Sequence, residues 1–157
     1  MMKKTWLALA CAWFLAGCAS MGPATVADTA AKRPELSTLS KLIADAGLTD
    51  TLKANGPYTV FAPSDEAFKA VPARTMAELA ANKELLKQVL SYHVVPSKLS
   101  AAEVTNASVK TVQGGSLALS KAGTFVTVED AMVVQADVTA SNGVVHVIDR
   151  VLMPPKK

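Results

Sequence analysis

The sequence predicts an α+β fold, with helices early and strands late. Two observations carry that reading. Between Ser37 and His93, apolar side chains recur at the three-to-four-residue spacing that lines one face of a helix. From Val109 onwards, short β-favouring runs follow one another with turn signals between them. Helices and strands grouped in blocks, rather than alternating, point to α+β and away from a doubly wound parallel sheet. A chain of 157 residues allows one domain, and no internal repeat divides it. Half the residues are hydrophobic but only 5% are aromatic, so the core must be built from Val, Leu and Ala.

The elements follow in order. Ser37 is placed to cap a helix whose apolar face is Leu39, Leu42, Ile43 and Ala46, and Gly47 ends it. A short helical turn runs from Thr49 through Leu52 and stops at Asn55-Gly56. The stretch YTVFAPSDEAF, Tyr58 to Phe68, opens as a strand, breaks at Pro63 and resumes as a helix after Ser64-Asp65. Thr75 to Glu78 has the spacing of a capping box. Asn82 is placed to cap a helix with Leu85, Leu86, Val89, Leu90 and His93 on one stripe. Val94-Val95 is a short extended piece ending at Pro96, and Ser100 to Glu103 is a helical turn. The strands then read 109–112, 117–120, 124–128, 132–136 and 144–152, forming an antiparallel sheet or sandwich. Asn142-Gly143 is the strongest hairpin signal in the chain. The last run is apolar on both faces, so it should lie centrally and be covered on both sides.

The first residues concern destination rather than fold. Lys3-Lys4 precede an uncharged apolar run, Trp6 to Ala16, too short to span a bilayer comfortably. The run ends in Leu15-Ala16-Gly17-Cys18, which resembles a bacterial lipobox, where the thiol is acylated and becomes the new N-terminus. Residues 1–17 are then a signal peptide, and 18–34, rich in Ala and Thr with two prolines, is a flexible tether. Cys11 leaves with the signal and Cys18 carries lipid, so no disulfide is expected. Position 19 is Ala rather than Asp, which in a Gram-negative cell points to the outer membrane. Loss of Lys3 and Lys4 lowers the formal charge of +3 by two, leaving no electrostatic footprint for nucleic acid.

Chemistry is sparse. Two histidines and no cysteine to spare make no metal-ligand spacing, and no cofactor motif is present; Gly114-Gly115 lies between strands rather than before a helix. Ser64 stands at a strand-to-helix turn, as a hydrolase nucleophile would, but the glycines of a nucleophile elbow are replaced by Pro63 and Asp65. Ser64 or Asp65 as a helix cap is the stronger reading, with His93 and His146 as buried imidazoles.

Three pieces in order, YTVFAPSDEAF at 58–68, YHVVP at 92–96 and ASNGVVHVIDRVLMPP at 140–155, resemble the fasciclin domain family over about residues 35–155. The resemblance implies a wedge of two β-sheets with several short helices along one side, and adhesion rather than catalysis. It implies that Asp65 and His93 hold the core together, with a hydrogen bond linking their neighbourhoods. Tyr92, Asn142, Gly143 and His146 complete the structural motifs. Animal adhesive members use an Asp-Ile pair before the last motif; the matching pair here is Asp137-Val138, a candidate partner-binding site. The expectation is a non-enzymatic monomer, lipid-anchored at the cell envelope through Cys18, binding a protein or polysaccharide. The alternative is a small-molecule carrier or an envelope hydrolase using Ser64 and His93.

Overall fold

The computed structural model describes residues 24–155. The expected signal peptide over 1–17 and the expected lipidation site Cys18 lie outside the described residues. The first element is helix α1 (Val26–Lys32), fixed at its start by a reciprocal cap. The Asp28 N–H donates to Thr25 Oγ1 at 3.3 Å, and the Thr25 N–H donates to the Asp28 carboxylate at 3.2 Å. Val26, Ala27 and Ala30 are buried against the domain. This corrects the expected tether over 18–34: from Thr25 on, the segment is a docked helix. Its stripe is made mostly of alanines, which form helix readily and pack closely but leave a weak apolar period.

A short 3-10 turn (Pro34–Leu36) leads into α2 (Ser37–Asp45) and α3 (Thr49–Lys53). Ser37 does not cap its own helix, which has no side-chain cap of local origin. Gly47 takes φ +68°, the left-handed geometry that ends α2. Strand β1 (Tyr58–Pro63) passes directly into α4 (Asp65–Lys69), where the Ser64 hydroxyl accepts the Ala67 N–H at 3.2 Å. Helix α5 (Ala73–Ala81) starts two residues before Thr75, straight after Pro72, so the capping box read at Thr75–Glu78 does not form. Proline tolerates a helix start because the first turn needs no amide donor. Helix α6 (Lys83–Tyr92) is capped by Asn82, which accepts the Leu85 N–H at 3.1 Å.

The strands are β2 (Val94–Val95), β3 (Ala107–Lys110), β4 (Ser116–Ala122), β5 (Phe125–Val128), β6 (Ala131–Ala140) and β7 (Gly143–Ile148). Their order is β2-β1-β7-β6-β5-β4-β3. Pairing is antiparallel except between β1 and β7, which run parallel from Tyr58–Gly143 to Pro63–Ile148. The purely antiparallel expectation therefore fails at the centre of the sheet. A parallel pair needs a long crossover, and most of the chain lies between these two strands. The wedge arises at β6. Ala131 and Met132 pair with β5, whereas Val133 to Ala140 pair with β7, with register shifts on either side of Gln135. Bulges of this kind bend a strand and let it serve two sheets.

Two cores result, one on each face of β1 and β7. On the helix side, Val60, Ala62, Val145 and Val147 pack with Leu36, Leu39, Ile43, Leu86 and Leu90. On the other side, Phe61 and Ile148 pack with Tyr92, Leu117, Leu119, Val126 and Val128. The expectation that the last strand is covered on both sides holds for this reason. Full burial of a Val or Leu contributes about 1.5–3 kcal/mol, so α1 adds stability through Val26 and its alanines. A chain starting at residue 34 should therefore unfold about 2–3 kcal/mol more easily than one starting at residue 24, measured by urea denaturation; equal midpoints would show that α1 is not part of the folded unit.

Candidate functional site

The motif residues occupy the two ends of the β1–β7 pair. At one end, Asn142 sits in the turn between β6 and β7. Its Oδ1 accepts the Val26 N–H at 2.8 Å, and its Nδ2 donates to the Leu52 and Ala54 carbonyls at 2.7 and 2.8 Å. Its backbone carbonyl accepts the Tyr58 N–H at 3.0 Å. The carboxamide thus caps the start of α1 and closes the end of α3, while the backbone carbonyl of the same residue starts the pairing of β1. Gly143 follows for a steric reason: a Cβ there would collide with the Tyr58 carbonyl.

At the other end lies Asp65. Its carboxylate accepts the Ser37 hydroxyl at 2.7 Å and the Thr38 N–H at 2.9 Å. Ser64 caps α4, and Asp65 caps α2 from across the fold. Partial burial pushes the carboxyl pKa up, but the bonds from Ser37 and Thr38 outweigh this and hold it below the usual value. The Ser64 N–H donates to the Ile148 carbonyl at 3.0 Å, tying the same junction to β7.

His93 closes α6 in full burial. Its Nδ1–H donates to the Val89 carbonyl at 2.8 Å, and its Nε2 accepts the Leu152 N–H at 2.9 Å. Burial pushes its pKa down to about 4. Asp65 and His93 do not bond each other; the link between their neighbourhoods is backbone, from the Phe61 N–H to the His93 carbonyl at 2.9 Å. Tyr92 buries its ring in the second core and donates from its hydroxyl to the Ser116 carbonyl at 3.0 Å. His146, buried in β7, stacks on Phe61 at 5.6 Å between ring centroids. Its Nε2–H donates to the Leu99 carbonyl at 2.7 Å, and its Nδ1 accepts the Asp137 N–H at 3.2 Å.

Asp137 adopts φ +56° in the bulge of β6. Its carboxylate accepts the Ala101 N–H at 2.8 Å. Val138 pairs with Val145 and packs, half-buried, against the helix-side core. The pair is therefore built into the fold: one carboxylate oxygen of Asp137 and most of Val138 are already engaged.

Catalysis fares worse. Both nitrogens of His93 are bonded to backbone, so it has no lone pair with which to activate Ser64. The cleft beside Ser64 is lined by Glu35, Thr38, Glu66 and Lys69, not by His93. Among the described residues, no cluster of His, Cys, Asp and Glu could hold a metal ion, and every buried side-chain N and O has a partner. An open apolar cleft of about 600 Å³ lies between α3, α6 and β2, lined by Leu48, Leu52, Tyr58 and Val94 with Lys87 at its edge.

Three polar positions went unread in the sequence. Thr59, fully buried in β1, accepts the Leu99 N–H at 2.8 Å and donates to the Ser97 carbonyl at 2.6 Å. A hydroxyl in an otherwise apolar strand was its only signal. Thr25 and Asp28 carry the T-x-x-D spacing of a capping box, which marks α1 once the alanines beside it are read as a packing face.

The chain belongs to the fasciclin domain family: that domain's sequence profile matches residues 34–154. It is 44% identical over 133 residues to Protein sll1483 of Synechocystis sp., covering 83% of this chain and 74% of that one. It is 39% identical over 142 residues to the cell surface glycolipoprotein MPB83 of Mycobacterium bovis, covering 87% of this chain and 64% of that one. Among solved structures, a FAS1 domain pair from the insect cell adhesion molecule fasciclin I superposes with a TM-score of 0.67 at 18% identity. The match covers 83% of this chain and 51% of the pair.

Removing the Asn142 carboxamide leaves Val26 N–H and two carbonyls without partners. Asn142→Ala should lower unfolding free energy by about 2–4 kcal/mol, at about 1–3 kcal/mol per stranded group with some rescue by water. A loss below about 0.5 kcal/mol in urea melts would refute this hub, since surface changes fall in that range.

His93 gives a second test. Folded, it stays neutral down to about pH 4, whereas an unfolded chain's histidine protonates near 6.5. Its contribution is therefore level above about pH 6.5 and is lost as the pH falls through that window, by an amount on the order of 3 kcal/mol. The stability difference between wild type and His93→Gln should shrink from pH 6.5 to 4 and stay constant above; a constant difference throughout would rule the effect out.

Proposed function

We propose that this chain is a non-enzymatic, lipid-anchored fasciclin module of the bacterial cell envelope that adheres to a partner protein. The observation that carries this reading is where the motif residues spend their polar groups. Asn142, Asp65, His93 and His146 direct every bond named above into the fold, which leaves a rigid scaffold and no assembled catalytic pair. Binding must then come from the surface. There, Phe125 and Val134 are 62% and 60% exposed on the outer side of β5 and β6, with Met132 beside them. Apolar groups grouped on a surface suit a protein contact.

Two further findings support the envelope setting. The lipobox-like run Leu15-Ala16-Gly17-Cys18 would give attachment through Cys18. One relative is itself a cell surface lipoprotein, and a structural neighbour comes from a cell adhesion molecule. Two or three acyl chains on one cysteine hold far more firmly than a single myristoyl chain would.

Palmitate should label the wild type and not Cys18→Ser; equal labelling would remove the anchor. Beads coated with the domain should adhere to envelope material, and Phe125→Ser with Val134→Ser should weaken that adhesion without lowering Tm. Ser64→Ala should do the reverse, costing about 0.5–2 kcal/mol as a lost cap while leaving adhesion intact. Adhesion abolished by glycosidase but not by protease would replace the protein partner with a polysaccharide. Adhesion insensitive to the double substitution would move the contact off β5 and β6.

A further inference from the structure

We infer that docking of α1 fixes which end of the domain faces the membrane. The inference rests on acylation of Cys18 and adds an orientation to it. The Ser141 N–H donates to the Ala24 carbonyl at 2.8 Å, and the Val26 N–H is held by Asn142. Ala24, the first described residue, is therefore held beside the turn between β6 and β7. Only six peptide steps separate Cys18 from Ala24. At about 3.6 Å per step, they span at most about 22 Å in any conformation. Were 18–34 a free tether, its reach would be about 58 Å by the same measure, enough to let the domain turn over.

A domain of this size is about 30 Å across. A leash shorter than that width keeps its attachment point near the bilayer. The far end is built from the β1–α4 junction and the turn at Glu129-Asp130, since Pro63 pairs with Ile148 and Val128 with Ala131. It lies about 20 Å from the near end, the length of six-residue β7. The cleft at the near end, between Asn55, Pro57, Lys98 and Ser141, carries Lys98 as its single charge, with the Asp28–Lys53 pair on the neighbouring start of α1 and end of α3. Phe125 and Val134 are displaced from it along β6, towards the partner side.

The test uses the acylated full chain in phosphatidylethanolamine–phosphatidylglycerol vesicles containing a headgroup-labelled acceptor lipid. A donor dye is attached at Asn55→Cys or Asp130→Cys. Transfer should be at least roughly twofold stronger from position 55, given the separation along the strands. Inserting a long Gly-Ser segment before Ala24 should erase that difference while leaving the melting temperature unchanged. Equal transfer from both positions in the uninserted chain would overturn the orientation. A difference that survives the insertion would show that contact rather than the leash sets it, and would overturn the inference as stated. Vesicle recovery separates the two readings. If Cys18→Ser is recovered as well as wild type, the lipid reading fails and the orientation falls with it. If recovery needs Cys18 but transfer is equal, the orientation alone fails.

Discussion

The parallel pairing of β1 with β7 is the constraint on which the rest of the structure depends. These strands come from opposite ends of the domain, so bringing them together orders most of the chain between them. Both are buried on both faces, and each alternate side chain enters a different core. Val60 and Val145 face the helices; Phe61 and Ile148 face the sheet made by β3 to β5. Neither core can close without the pair, because each lacks one wall when either strand is removed.

Polar groups guard the ends of this pair because a buried parallel ladder leaves backbone donors and acceptors with no water to meet. At the near end the Asn142 side chain satisfies three backbone groups of α1 and α3, at the far end Asp65 takes two donors of α2, and His93 takes the amide that follows β7 at Leu152. This accounts for side chains that look chemical in a list of residues yet direct their bonds into the fold. A histidine bonded through both nitrogens is a brace, and a carboxylate that caps another helix is held ionised by its donors. The same interior could carry many different surfaces, and fold by itself does not name a function.

Much of this was legible in the residues. Ser64 and Asn82 were read as caps because cap chemistry is local: an acceptor three residues before an orphan amide meets it whatever the rest of the chain does. The central last strand was legible because burial on both faces removes the alternation of polar and apolar residues. Other readings failed where distant partners decide. Ser37 was read as a cap and instead donates to Asp65, 28 residues away. Helix α1 was read as tether because alanine packing leaves little periodic contrast. Asp137 was read as a candidate binding residue; the fold adds that one of its carboxylate oxygens holds the Ala101 N–H.

The sequence by itself determined the class of fold, the caps at Ser64 and Asn82, the two-sided last strand and the family, because those rest on local spacing and on three motifs at set distances. Tertiary structure alone decided that β1 and β7 run parallel, that Asp65 serves α2 and not α4, that Asn142 joins three elements, and that α1 belongs to the domain. Each of these is a contact between residues far apart in the chain. Spacing records which side chains share a face, but not which other face will come to cover it.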